Sequence, residues 1–219
     1  MSATHYVPGL VLRDHWFDLP LDHARPDGPT IEVYGREVVA PQKVRDDLPW
    51  LLFLQGGPGF GAPRPLTASG WIKRAMQEYR IFLLDQRGTG RSTPVNRQSL
   101  ARFATPRQQA DYLKHFRADA IVQDAEWIRR RLVGEGKRWS VLGQSYGGFC
   151  AVHYLSAAPE GLAEAFITGG LPPLTAHPDE IYRATYRRVL EQNERYYRCY
   201  PEDVETLSRV VEGLTEREV

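Results

Sequence analysis

Short apolar runs alternate with longer amphipathic stretches along this chain. Leu10 to Leu19 is apolar and aromatic, a turn-rich stretch runs from Asp22 to Pro29, and Ile31 to Val39 alternates and is rich in valine. That pair predicts an opening antiparallel hairpin. Trp50–Leu54 and Ile81–Leu84 are continuous apolar runs, which suit strands covered on both faces. Asp119–Val133 predicts a helix. Ile121, Ala125, Ile128 and Leu132 recur at helical spacing, and Arg129, Arg130 and Arg131 lie towards the end where the helix dipole favours cations. Trp139–Leu142 predicts a further buried strand, Phe149–Ala158 the helix after it, and Ala165–Thr168 another strand. Strands alternating with helices after a hairpin predict an α/β sheet, mostly parallel, with an antiparallel N-terminal edge. From about His177 the pattern turns helical, with Tyr182, Tyr186, Tyr196, Tyr197 and Tyr200 set among arginines and glutamates. This tail reads equally as a lid layer or a peripheral helical hairpin.

Composition narrows the class. The 219 residues suit one domain with a small appendage, and 42% hydrophobic with 25% charged residues allows a real core. A formal net charge of +1 argues against a nucleic-acid or membrane-surface partner held by bulk electrostatics. No run approaches the roughly 18 apolar residues of a membrane span, and the first residues show no signal-peptide pattern. Two cysteines, Cys150 and Cys199, make no disulfide framework and fit a cytoplasmic setting. Cys150 is expected to be a small buried packing residue.

Candidate chemistry concentrates in three loops. Gly143-Gln144-Ser145-Tyr146-Gly147 lies between a predicted strand and a predicted helix. A serine held proud of so sharp a corner has a strained backbone, and side chains two residues either side would collide there, so Gly143 and Gly147 suit the turn. The helix that follows aims its amides and positive dipole end at any oxyanion beside the hydroxyl. Ser145 is therefore the candidate nucleophile. Gln55-Gly56-Gly57-Pro58-Gly59-Phe60-Gly61 leaves the end of a central strand, where open α/β sheets bind ligands. It reads as a tight structural turn or as an oxyanion loop working with the amide of Tyr146. Its formal match to a dinucleotide fingerprint fails, because Pro58, Pro63 and Pro65 prevent the helix that pyrophosphate needs. Asp85-Gln86-Arg87-Gly88-Thr89-Gly90-Arg91-Ser92 lacks the lysine of a phosphate-binding loop. Gln55, Asp85 and Arg87 are expected instead to form a hydrogen-bonded layer that fixes the glycine loop. No metal-ligand spacing is evident, and serine hydrolysis needs no cofactor.

Taken together, in this order and spacing, the three loops resemble the proline iminopeptidase (prolyl aminopeptidase) family of α/β-hydrolase serine peptidases. The likeness runs from about Leu10 into the tyrosine-rich tail. The family usually has histidine where Gln55 stands, and Gln55 with Phe60 looks like its larger subgroup. The resemblance implies Ser145 as nucleophile, the amides of Gly57 and Tyr146 as the oxyanion hole, and peptides with N-terminal proline as substrates. It also implies residues 1–175 as the N-terminal part of an α/β-hydrolase core and 176–219 as the beginning of a helical cap, with the C-terminal strands missing. Such enzymes order their triad Ser, then Asp or Glu, then His. After Ser145 the sequence offers only His153, inside the following helix, and His177, near Asp179. The triad acid and histidine are expected beyond Val219 or on a second polypeptide. A serine esterase or amidase on the same fold, or a non-catalytic truncated core that binds a ligand or partner, are the alternatives.

Overall fold

The computed structural model describes residues 3–215. They fall into two compact units, Met1–Pro172 and Pro173–Val219.

The N-terminal unit is built on one seven-stranded sheet. Its strands are β1 (Thr4–Val7), β2 (Leu10–Pro20), β3 (Thr30–Val39), β4 (Trp50–Leu54), β5 (Arg80–Leu84), β6 (Trp139–Gln144) and β7 (Leu162–Thr168), in the order β1-β2-β3-β5-β4-β6-β7. β1, β2 and β3 pair antiparallel, and β3 pairs antiparallel with β5. β5, β4, β6 and β7 run parallel, as the unbroken apolar runs of β4 and β5 require. The expected fold class is thus the observed one. β1 lay outside the expectation, since Thr4-His5-Tyr6-Val7 has no apolar alternation and its side chains are largely exposed.

Helices α1 (Gly70–Ala75), α2 (Arg97–Leu100), α3 (Pro106–Leu113), α4 (Ala118–Leu132) and α5 (Tyr146–Ala157) complete this unit. Alternation along the central strands decides which face each side chain serves. Leu52, Leu54, Phe82 and Leu84 point to the face covered by Ile121, Val122, Ala125 and Ile128 of α4 and by Cys150, Ala151 and Tyr154 of α5. Phe53, Ile81 and Leu83 point to the other, where Ile72 of α1 and Met76 join Leu10, Leu12 and Val38. Both faces of β4 and β5 are therefore dry, and the carboxyl ends of these strands are rigidly placed.

A polar cluster ties α4 to α5 beneath that core. Trp139 Nε1 donates to Tyr154 Oη at 3.0 Å, Tyr154 Oη donates to Glu126 Oε1 at 2.5 Å, and Arg129 grips both Glu126 oxygens at 2.8 and 2.7 Å. Burial pushes the Glu126 carboxyl up, but the hydrogen bonds from Arg129 and Tyr154 and the Arg129 charge outweigh it and hold the group below 4.5. A carboxyl depressed in the folded state adds stability above its unfolded pKa and loses it as pH falls through the folded value. Glu126→Gln is therefore expected to be less stable than the parent at neutral pH, with a narrower gap at acid pH, where the parent's carboxyl takes up its proton. Thermal melts of both at the two pH values check this, and a gap independent of pH would contradict it.

The C-terminal unit holds α6 (Pro178–Cys199) and α7 (Asp203–Thr215), neither with a buried residue. Tyr196 Oη donates to Asp203 Oδ2 at 2.5 Å and ties the two. No helix among the described residues is long and apolar enough to cross a membrane.

Candidate active site

Ser145 stands between the end of β6 and the first turn of α5 with φ 53° and ψ −118°, and among the described residues it alone has positive φ without being glycine. Such a conformation costs on the order of 1–3 kcal/mol and persists only where the surroundings enforce it. Here they do. Ser145 N donates to Thr168 O at 2.9 Å, and Ser145 O accepts from Gly148 N at 2.8 Å. The chain passes too close for side chains on either side: a Cβ at Gly143 would lie 2.3 Å from Gly147 O, and one at Gly147 1.9 Å from Leu54 O. Gly147→Ala is expected to cost more than about 3 kcal/mol or prevent folding, because both clashing groups are backbone. Denaturant unfolding of that variant measures it, and a near-parental midpoint would contradict this geometry.

The glycine loop sits directly against the serine. A Cβ at Gly56 would stand 2.9 Å from Ser145 Cβ and 3.5 Å from Ser145 Oγ. Gly57 follows with φ 126°, a conformation open to glycine. Gln55 fastens its own loop, since its Oε1 accepts from Gly56 N at 3.0 Å and its carbonyl accepts from Gln86 Nε2 at 3.0 Å. Asp85 holds the far side. Its Oδ1 accepts from Ala62 N and its Oδ2 from Arg91 N, each at 2.7 Å, and Arg64 bonds Oδ2 as well.

Arg87 lies elsewhere than expected: its hydrogen bonds all run away from the glycine loop. Nε and Nη2 grip Asp124 at 2.7 and 2.5 Å, Nη1 donates to Leu21 O and His115 O, and Nη2 donates to Pro20 O. All five guanidinium hydrogens are thereby used, so His23 Nε2 is the donor to Asp124 Oδ1 at 2.8 Å. This group fastens the β2–β3 turn to α4 and leaves Arg87 no hydrogen for the loop. Asp124 is readable in hindsight as a carboxylate three residues after Ile121, on the apolar face of its helix.

Gly170 is a part of the corner not singled out from the sequence. A Cβ there would meet Ser145 O at 2.0 Å, so the stretch after β7 closes over the elbow. The available sign was Gly169-Gly170 at a strand end.

Tyr146, first residue of α5, is half-buried. Burial and then the neighbouring Cys150 push its phenol up to about 12. Burial likewise pushes the Cys150 thiol up to about 12, which leaves it an unreactive packing group. A recess of about 200 Å³ opens between Pro58, Gly59, Phe116, Ile121 and Tyr146, at the carboxyl end of the sheet. A recess of about 680 Å³ around Trp50 and Arg80 lies at the opposite ends of the strands and away from the serine.

No histidine of the N-terminal unit hydrogen-bonds Ser145 Oγ among the described residues. His153 sits eight residues along α5, about 12 Å by helical rise. His177 belongs to the C-terminal unit, where its Nδ1 accepts from Asp179 N at 3.3 Å and caps α6.

A serine on a strand-to-helix corner, backed by a glycine loop from the neighbouring strand, is the arrangement of α/β hydrolases. Residues 49–209 match the α/β hydrolase fold family, and the chain belongs to that family. Within it, this chain is similar to proteins named proline iminopeptidase. The enzyme of that name from Aeromonas sobria is 51% identical over 220 residues, which cover 100% of this chain and 51% of that protein. One from Aspergillus aculeatus is 40% identical over 223 residues, covering 99% of this chain and 50% of that protein. The chain thus spans about half the length of the curated relatives it matches. Among solved structures, a thioesterase domain from the curacin biosynthetic pathway superposes with a TM-score of 0.50 at 15% identity, over 80% of this chain and 52% of that one. That likeness is one of fold.

Proposed function

We propose that this chain carries the nucleophile half of a serine peptidase that releases N-terminal proline from peptides. The observation that carries the reading is the seating of the glycine loop on the strained serine, with Gly56 packed against Ser145. Nothing in binding alone calls for a serine held at φ 53° between glycines that admit no side chain.

On this reading Ser145 Oγ attacks the prolyl carbonyl, and a general base takes its proton. The oxyanion is received by the amides of Gly57 and Tyr146, helped by the positive end of α5. The proton then passes to the leaving amine as the C–N bond breaks, and water hydrolyses the acyl-enzyme. Gln55, Gln86 and Asp85 hold the loop that carries the Gly57 amide. The acid and histidine are assigned to the half of the relatives' length that this chain does not span. Residues 176–219 are assigned to the beginning of a helical cap. Free Cys150 and Cys199 support a cytoplasmic location.

The test is cleavage of prolyl, alanyl and leucyl amides, alongside a simple aryl ester, by the protein extended to the length of its relatives. Preference for the prolyl amide by at least about tenfold, some 1.4 kcal/mol, is expected. Ester hydrolysis with no prolyl preference would hand the site to an esterase, and no hydrolysis of either would leave a binding core.

A further inference from the structure

We propose that the N-terminal edge of the sheet carries a second binding site, for a doubly charged tetrahedral oxyanion of the phosphate type. A recess of about 440 Å³ lies over β1, β2 and β3, bordered by His5, Trp16, Arg36, Arg64 and Arg91. Its floor is one buried carboxylate. Asp14 accepts from Arg36 Nε at 2.6 Å and Nη2 at 3.0 Å, from Tyr34 Oη at 2.6 Å and from Arg91 Nη1 at 3.1 Å, with His5 Nε2 at 3.4 Å. The second carboxylate, Asp85, is wholly buried and takes Arg64 together with the amides of Ala62 and Arg91.

Charge and exposure divide in a way that a purely structural fastening does not need. Three guanidiniums face two carboxylates, so one positive charge is left over. Both carboxylates are sealed beneath, while the Arg91 side chain is 49% exposed and that of Arg64 34%. The buried Arg87–Asp124 pair of the same protein is the contrast: there every donor has an acceptor and neither side chain sees solvent. The Arg91 side chain makes one hydrogen bond among the described residues, leaving four of its N–H groups for a ligand.

The guanidiniums are also held in place. Arg91 lies over Tyr34 at 4.8 Å and Trp16 at 5.2 Å, and Arg64 and Arg36 lie over the same Tyr34 ring at 5.1 and 5.9 Å. Three planar forks gathered round one ring leave little side-chain freedom to lose when an anion arrives. Guanidinium forks match phosphate oxygens two at a time, and a tetrahedral dianion can engage more than one fork where a lone carboxylate engages one.

The test is a thermal-melt titration of the 219-residue chain with inorganic phosphate against sodium chloride and acetate at matched ionic strength. Site binding gives a saturable rise of about 3–5 °C once phosphate exceeds its dissociation constant tenfold. The rise is lost in Arg91→Met and kept in Arg102→Met, whose arginine also stacks on aromatic rings but outside the recess. A rise that never saturates, that acetate reproduces, or that survives in Arg91→Met would overturn the site, since phosphate also stabilises proteins by exclusion from their surface. Calorimetric titration of the unaltered chain decides the matter if Arg91→Met does not fold. One saturable phosphate per chain supports the proposal, and none up to about 100-fold over the protein overturns it.

Discussion

Ser145→Ala is expected to lower turnover by the whole protein about 10⁴-fold or more, while its Tm stays within about 2 °C of the parent. The substitution removes Oγ and nothing else. Alanine keeps a Cβ, so the strain of φ 53° remains and the fold has no reason to gain or lose much. Ser145→Gly separates the two roles of this position. Glycine relieves a strain of about 1–3 kcal/mol and gives back part of it through its freer unfolded chain, for a net gain of roughly 1 kcal/mol. A dead enzyme that melts higher than the parent would show that the corner is strained for the sake of the hydroxyl. Kinetics and melting of both variants read this directly, and turnover by Ser145→Ala comparable to the parent would remove Ser145 from the mechanism.

The largest loss of stability outside the elbow is expected from Asp124→Ala, at about 3–5 kcal/mol. Asp124 and Arg87 are both buried, and the carboxylate takes two of the guanidinium hydrogens as well as that of His23. Removing it leaves a cation in the interior with no counter-charge, which costs far more than the pair contributes. The double variant Asp124→Leu with Arg87→Met removes both charges, and it is expected to recover most of the loss. Denaturant midpoints of the parent, single and double variants give the answer. A single variant within about 1 kcal/mol of the parent would mean that water or another group already neutralises Arg87.

The contrast between Asp85 and Arg87 shows where sequence stops informing. Both sit in one eight-residue loop, and loop composition alone sends both towards the glycine turn. Asp85 goes there, while Arg87 turns to a partner on α4, 37 residues away. Such a pairing depends on tertiary placement that no local pattern encodes. The strands of the central sheet were legible because burial on both faces demands unbroken apolar runs, and Trp50–Leu54 has the same bounds in sequence and structure. The elbow was legible for a similar reason, as its glycines answer close backbone contacts rather than a preference. β1, α1, α2 and α3 were not, being short or largely exposed. Local signs for α2 and α3 lay in the capping boxes of Asn96 with Ser99 and of Thr105 with Gln108.

On the proposed reading, Ser145 becomes a nucleophile when the rest of the hydrolase is present. The most direct measurement is intact mass after exposure to a fluorophosphonate, on the protein extended to the length of its relatives and on its Ser145→Ala variant. A single adduct is expected on the extended protein and none on the variant. No adduct on the extended protein, or an equal adduct on Ser145→Ala, would contradict it.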